Sequence, residues 1–268
     1  MLKKIHHVGI VVRSLEEAYR FYRDTLGLPV HKEATVEDQG VRAALLTIGN
    51  SEIELLEPID PAGGVAKFLA KRGEGLHHVC FETADVGAEL AAARGQQFPL
   101  IDEAPRAGLA GMICFLHPKG TRGVLVEFAT PPPEDAHHPH DASTRIPGLA
   151  LDEVVARSRD AEGAATLFAE RLGLARASTG ARSGLVASAV QTGGVRLVFV
   201  APGGAGTESA AWTKAIEEQG EGLSGLVLVV GDLGTAAAAL GPLAPPPQAG
   251  TLTLDPARCH GVPLTIRA

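Results

Sequence analysis

Two histidines and two glutamates recur at a fixed interval in this chain. His7 and Glu54 are followed, 71 and 73 residues on, by His78 and Glu127. Imidazole and carboxylate donors together suit a divalent ion such as Mn, Fe(II), Co, Ni or Zn, with water completing its shell. Matching positions in two copies of one unit are what a single metal site on a repeated scaffold requires. Each residue taken singly has an ordinary reading. A histidine at a strand start is commonly structural, and Glu54 within IELLEP (53–58) suits the wet side of a half-exposed strand. The repetition is what argues for one divalent metal held by His7, Glu54, His78 and Glu127. A Cys-rich structural zinc site is not available, because Cys80, Cys114 and Cys259 lack CxxC spacing.

The elements that must position these residues follow from local pattern. IHHVGIVV (5–12) is short, β-branched and apolar, as a buried strand is. Ser14 with Glu17 forms a capping box, and Leu15, Ala18, Tyr19, Tyr22 and Leu26 share one helical face. Gly27 stops that helix, and Pro29 could not continue it. Three strand-like runs follow, over 30–36, 40–48 and 52–56, so the unit is β-α-β-β-β. The order repeats over 76–128: a strand at LHHVCFE (76–82), a helix capped by Asp85, and strands near 97–101, 110–116 and 124–128. A short connecting helix is expected over 65–72. Alternation along a strand places His7 with Gly9 and Val11, and His78 with Cys80 and Glu82. His6 and His77 are then expected on the opposite face, as packing or hydrogen-bonding residues.

The unit occurs twice more. LFAERLGL (167–174) aligns with FYRDTLGL (21–28) at an offset of 146, and GEGLSGLVLVVGDLG (220–234) with GEGLHHVCFETADVG (73–87) at 147. There the donor positions hold Glu153, Val198, Gly225 and Thr265. One possible ligand in four will not hold a metal, so that half reads as a packing partner, imitating a second subunit, or as a binder of a ligand without metal. Between the halves, PPPEDAHHPHDASTRIP (131–147) has linker composition. The expected organisation is α+β, with a metal-binding domain over 1–130, a linker over 131–147 and a degenerate domain over 148–268.

Composition bounds the setting. With 268 residues, 45% of them apolar, the chain buries a sizeable core. A net charge of −7 gives no general drive toward nucleic acid or anionic membrane. Three cysteines without a pairing pattern, no apolar leader and no run of 18 apolar residues point to a cytoplasmic protein.

IHHVGIVV (5–12), EIELLEP (52–58), VAKFLAKRGEGLHHVCFE (65–82) and FLHPKGTRGVLVE (115–127) resemble the methylmalonyl-CoA epimerases. These belong to the vicinal oxygen chelate superfamily, with glyoxalase I and the extradiol dioxygenases. The likeness covers about residues 1–130; residues 148–268 resemble only the superfamily's general unit. It implies two glyoxalase-like domains with cupped mixed sheets, and a metal bound by His7, Glu54, His78 and Glu127. It further implies an isomerase (racemase/epimerase) of a short-chain acyl-CoA, methylmalonyl-CoA leading, acting through a metal-stabilised enolate with Glu127 as a catalytic base. One departure stands out. Some family members carry a glutamate, proposed as one base, where this chain has Ala43; Glu37, Asp38 and Glu82 are the nearby carboxylates that could replace it.

Other functions fit the same residues. A glyoxalase I-type lyase uses a similar donor set. An extradiol-type dioxygenase needs two histidines and one carboxylate, but its site usually occupies the C-terminal half. A small-molecule-binding resistance-type protein needs no intact ligand set. Lys67, Lys71 and Arg72 suit either coenzyme A phosphates or a solvated helix face. Lys119 suits a turn or a substrate contact, and His137, His138 and His140 a solvated linker. The partner expected is an acyl-CoA, with the chain a monomer or a homodimer.

Overall fold

The computed structural model describes residues 1–136, 145–180 and 182–268. The first half runs β1 (Leu2–Val11), α1 (Leu15–Tyr22), β2 (Val30–Val36), β3 (Val41–Ile48), β4 (Ser51–Pro58), α2 (Gly64–Arg72), β5 (Gly75–Thr83), α3 (Val86–Gly95), β6 (Arg106–Gly108), β7 (Gly111–Leu116) and β8 (Val126–Thr130). The second runs β9 (Ala150–Arg157), α4 (Ala161–Leu172), β10 (Ala175–Ala177), β11 (Leu185–Thr192), β12 (Val195–Pro202), α5 (Thr207–Gln219), β13 (Gly222–Val229), α6 (Leu233–Leu240), β14 (Thr251–Leu254) and β15 (Leu264–Arg267). His137, His138 and His140 lie outside the described residues. Among the described residues no helix is long and apolar enough to cross a membrane.

The strands form two mixed sheets, one per half. The first has the order β2-β3-β4-β1-β5-β8-β7-β6 and the second β10-β11-β12-β9-β13-β15-β14. In each β-α-β-β-β unit the first strand pairs parallel with the last: β1 with β4, β5 with β8. Two units then join through their first strands, β1 antiparallel to β5, so a unit boundary runs down the middle of the cupped sheet. Ser14 caps α1 by accepting the Glu17 N–H, and Asp85, Asp160 and Asp232 cap α3, α4 and α6 in the same way. Leu15, Ala18, Tyr19 and Tyr22 turn inward from α1 into a core shared by both halves.

Two details depart from sequence expectation. The strand expected over 97–101 is a single bridge, Leu100 to Leu116, and the edge strand lies at β6 instead; Pro99 has no N–H to give a ladder. The fourth unit stops one strand short, because Pro245, Pro246 and Pro247 occupy the segment before β14.

The halves dock through pairs of equivalent contacts. The Gly49 turn packs on Ala150 at the start of β9, and the Gly193 turn on Lys4 in β1. A Cβ on Gly261 would lie 2.0 Å from the Glu74 carbonyl oxygen, and one on Gly123 2.2 Å from that of Glu221. The Gly-Glu-Gly segment of each half therefore meets a glycine turn of the other. Within its own half, Glu74 accepts the Arg13 N–H and Glu221 the Arg159 N–H, both at 2.8 Å.

Candidate metal centre

The four central strands of the first sheet contribute one donor each: Glu54 from β4, His7 from β1, His78 from β5 and Glu127 from β8. Register explains how they meet. Gly9 lies opposite both Glu54 and His78, and Cys80 opposite both His7 and Glu127. A small residue thus separates each pair of donors. Gly9 is not in a left-handed conformation. It is there for space: a Cβ would stand 2.2 Å from the His78 Cε1 and 2.4 Å from its Nδ1.

His7 Nε2 and His78 Nε2 are 3.0 Å apart, and Glu127 Oε2 is 3.0 Å from each. Glu54 Oε2 lies 3.5 Å from His7 Nε2 and 3.3 Å from His78 Nε2. Two ligands at right angles, each about 2.1 Å from a metal, stand about 3.0 Å apart, so these spacings match a coordination shell. His7, Glu54, His78 and Glu127 are all buried. The ion-pair partners of the two carboxylates are imidazoles alone among the described residues. Buried carboxylates are costly without a cation. Donor type, spacing and charge therefore all fit a divalent ion.

The protonation pattern follows from this crowding. Burial alone would lower the His78 imidazole, but hydrogen bonds and charge from Glu127, then Glu54, raise it to about 9. Burial pushes Glu127 up, and hydrogen bonds with His7 and His78 outweigh it, holding the carboxyl well below its usual range. Burial, with the neighbouring Glu127 and Glu54 charges, keeps the Cys80 thiol protonated. That thiol also lies within reach of His6 and His7.

His6 and His77 are not on the opposite face. His6 Nδ1 is 2.9 Å from His7 Nδ1, and His77 Nδ1 is 3.0 Å from His78 Nδ1. The reason is a β-bulge in each copy. Between Ile5 and His7 strand β1 advances two residues while β5 advances one, and between Gly9 and Ile10 the doubled pair is His77–His78. A bulge breaks alternation and re-aims a side chain. A histidine that offers its Nε2 lone pair carries its proton on Nδ1, which these neighbours receive. Behind His6, Glu52 Oε2 lies 3.7 Å from its Nδ1, and Glu52 Oε1 bonds His31 Nδ1 at 2.7 Å. The doubled His-His pair was the one available sign of these supporting residues.

The remaining candidates fall elsewhere. Ala43 lines the pocket over the site, facing Leu56, Val41 and Leu109. Glu37, Asp38 and Glu82 do not line it. Glu82 pairs with Lys3 and Lys4, and Glu37 and Asp38 sit on an exposed turn. Lys119 is a turn residue whose backbone N–H bonds His117 Nδ1. Lys67, Lys71 and Arg72 are exposed; Lys71 and Arg72 border a cleft between the halves with Arg157. In the second sheet Val198 and Gly225 flank Val155, and Val227 flanks Glu153 and Thr265, in the same register as the first.

Comparison with known proteins agrees with this layout. Residues 6–115 match the model of the Glyoxalase/Bleomycin resistance protein/Dioxygenase superfamily. An uncharacterized protein, YqjC, of Bacillus subtilis is 39% identical over 52% of this chain and all of its own length. An ethylmalonyl-CoA/methylmalonyl-CoA epimerase of Cereibacter sphaeroides is 36% identical over 48% of this chain and 98% of its own. A mutant 4-hydroxymandelate synthase from Streptomyces coelicolor superposes on 99% of this chain, and 92% of its own, with a TM-score of 0.73 at 16% identity. That last likeness is one of fold.

Proposed function

This chain belongs to the glyoxalase/bleomycin resistance protein/dioxygenase superfamily, with a first half like the methylmalonyl-CoA epimerases, and from that premise we propose a divalent-metal-dependent isomerase of a short acyl-CoA. Methylmalonyl-CoA is the leading substrate, in line with the Cereibacter relative, an ethylmalonyl-CoA/methylmalonyl-CoA epimerase. The observation that carries the reading is the meeting of two imidazoles, 3.0 Å apart at Nε2, with two carboxylates, one from each central strand, each 3.0–3.5 Å from both imidazoles. His7, Glu54, His78 and Glu127 hold the ion; Co, Mn, Ni, Zn and Fe all suit the donors. When bound, the metal supplies Lewis acidity toward oxygens beside the acidic α-carbon.

The protein's own groups do the rest. Glu127, which lines the pocket, is the primary proton acceptor. Glu54, from the other unit, is the further carboxylate lining the pocket, and it stands on the opposite strand flank of the sheet. With Ala43 in place of an acid, these two carboxylates are the proton-handling groups available on the two sides. Val36, Val41, Leu56 and Leu109 keep the pocket apolar, which strengthens charge interactions inside it. The test is solvent-deuterium exchange into methylmalonyl-CoA by metal-loaded protein. Exchange at the α-carbon with inversion is expected, and its absence from a metal-replete sample overturns the reading.

A further inference from the structure

The second cup carries a cation of its own. Glu153 occupies the place of His7, in the same register, and is 2% exposed. Its Oε2 accepts Arg182 Nη2 at 2.6 Å, and its Oε1 faces Arg196 at 3.0 Å and Arg267 at 3.2 Å. Asp152, in the place of His6, accepts from Arg196 at 3.0 Å and also from Arg267. Three guanidiniums thus surround two carboxylates, leaving one positive charge over. Two buried donors of this cluster, Arg182 Nε and Arg196 Nε, have no acceptor among the described residues. A buried donor left unpaired costs about 1–3 kcal/mol. The cluster has donors and charge for one more oxyanion.

Arg182 reaches Glu153 from the segment between β10 and β11, and its side chain is 30% exposed, so solvent has access to it. The wall beside the cluster is aliphatic: Val155 in the place of Gly9, Val198 in the place of Glu54, then Ala187, Ala189 and Val227. Trp212 from α5 packs against this wall, with its Nε1 bonded to the Val200 carbonyl at 2.8 Å.

We propose that the second cup is a receptor for a small carboxylate with an aliphatic body, its carboxylate taken by Arg182 and Arg196 and its chain laid against the valine and alanine wall. A guanidinium fork matches a carboxylate in shape and charge. Here a fixed organic cation takes the part that a metal would take in the first cup: it recognises an oxyanion and offers no Lewis acidity. The proposal concerns only the second half and is independent of the isomerase reading.

Trp212 is the single tryptophan of the chain, so its emission reports on this cup in the full-length protein. Titration with hexanoate is expected to change that emission saturably. Inorganic phosphate is expected to compete, and hexanol, which has the same body without the charge, to do nothing. Arg182→Gln is expected to weaken hexanoate at least tenfold with circular dichroism unchanged. Should loss of the Glu153 partner unfold that variant, Arg182→Lys keeps the charge and removes the Nε donor, and a several-fold weakening is expected. Three results overturn the proposal: no saturable change with hexanoate, the same change with hexanol, or wild-type affinity in every folded Arg182 variant.

Discussion

Gly9→Ala isolates the geometry of the metal centre from its chemistry, because it removes no donor. The added Cβ would stand 2.2 Å from the His78 Cε1, 2.4 Å from Nδ1 and 2.8 Å from Nε2. Ordinary contact begins near 3.4 Å, so the ring must retreat by roughly an ångström. His78 cannot retreat freely: its Nδ1 faces His77 and the ring packs edge-on against Phe115. Overpacking of this kind costs about 1–3 kcal/mol. Misplacing a ligand by that distance is expected to weaken metal binding at least tenfold, or about 1.4 kcal/mol. Calorimetric titration of Zn or Co into metal-free protein measures this, with thermal melts of the metal-free form read alongside. Gly95→Ala serves as control, since nothing lies within 4 Å of its added Cβ; its affinity should match wild type. Wild-type affinity in a folded Gly9→Ala protein would refute the claim that this glycine makes room for the ligand.

Further outcomes follow from the same geometry. His78 is raised to about 9 in the metal-free fold, so it is protonated at pH 7–8, while a ligand imidazole must be neutral. Metal uptake should therefore release about one proton per ion, with apparent affinity rising as pH climbs toward 9; titrations in buffers of different ionisation enthalpy count it. By the same sign, the stability that the charged imidazole gives the metal-free fold is lost as pH rises through about 9. Glu127→Gln preserves shape but removes charge, and should abolish α-proton exchange and weaken metal at least tenfold. Gly123→Ala and Gly261→Ala each place a Cβ on the other half's backbone at a positive φ. Each should lower the melting temperature by several degrees at an unchanged metal content per folded chain.

His7, Glu54, His78 and Glu127 could be picked out from sequence because strand periodicity is local and the repeat sets the same residue types at matching places, 71 and 73 residues apart. The capped helices were legible for the same reason: Ser14 and Asp85 satisfy N–H groups three residues away. What strict alternation missed was the pair of bulges. A bulge is set by how two strands from different units pair, and β1 and β5 are about 70 residues apart, beyond any local pattern. Strict alternation therefore puts His6 and His77 on the wrong face, while hydrogen bonding, the role it leaves them, is what they do beside His7 and His78. The purpose of Gly-Glu-Gly is likewise hidden, because its second glycine, Gly75 or Gly222, answers to a turn in the other half. Arg182 was not legible at all: nothing in its own neighbourhood points to Glu153, 29 residues earlier.

The bulges also separate what belongs to the scaffold from what belongs to the chemistry. The second sheet keeps both of them, at Asp152–Glu153 and Ser224–Gly225, without a histidine at either. The bulge therefore arises from joining two units through their first strands, and the proposed metal site uses a geometry the fold already provides. Glu153 is buried, and a buried carboxylate needs a cation whether ion or side chain; Arg182, Arg196 and Arg267 now supply it. Restoring histidine by Glu153→His would leave three guanidiniums facing one remaining carboxylate, a field that repels a dication. Metal analysis of the Glu153→His protein should therefore stay at one ion per chain. Two ions per chain would show that the arginines yield to metal, and that the charge argument for the second cup is wrong.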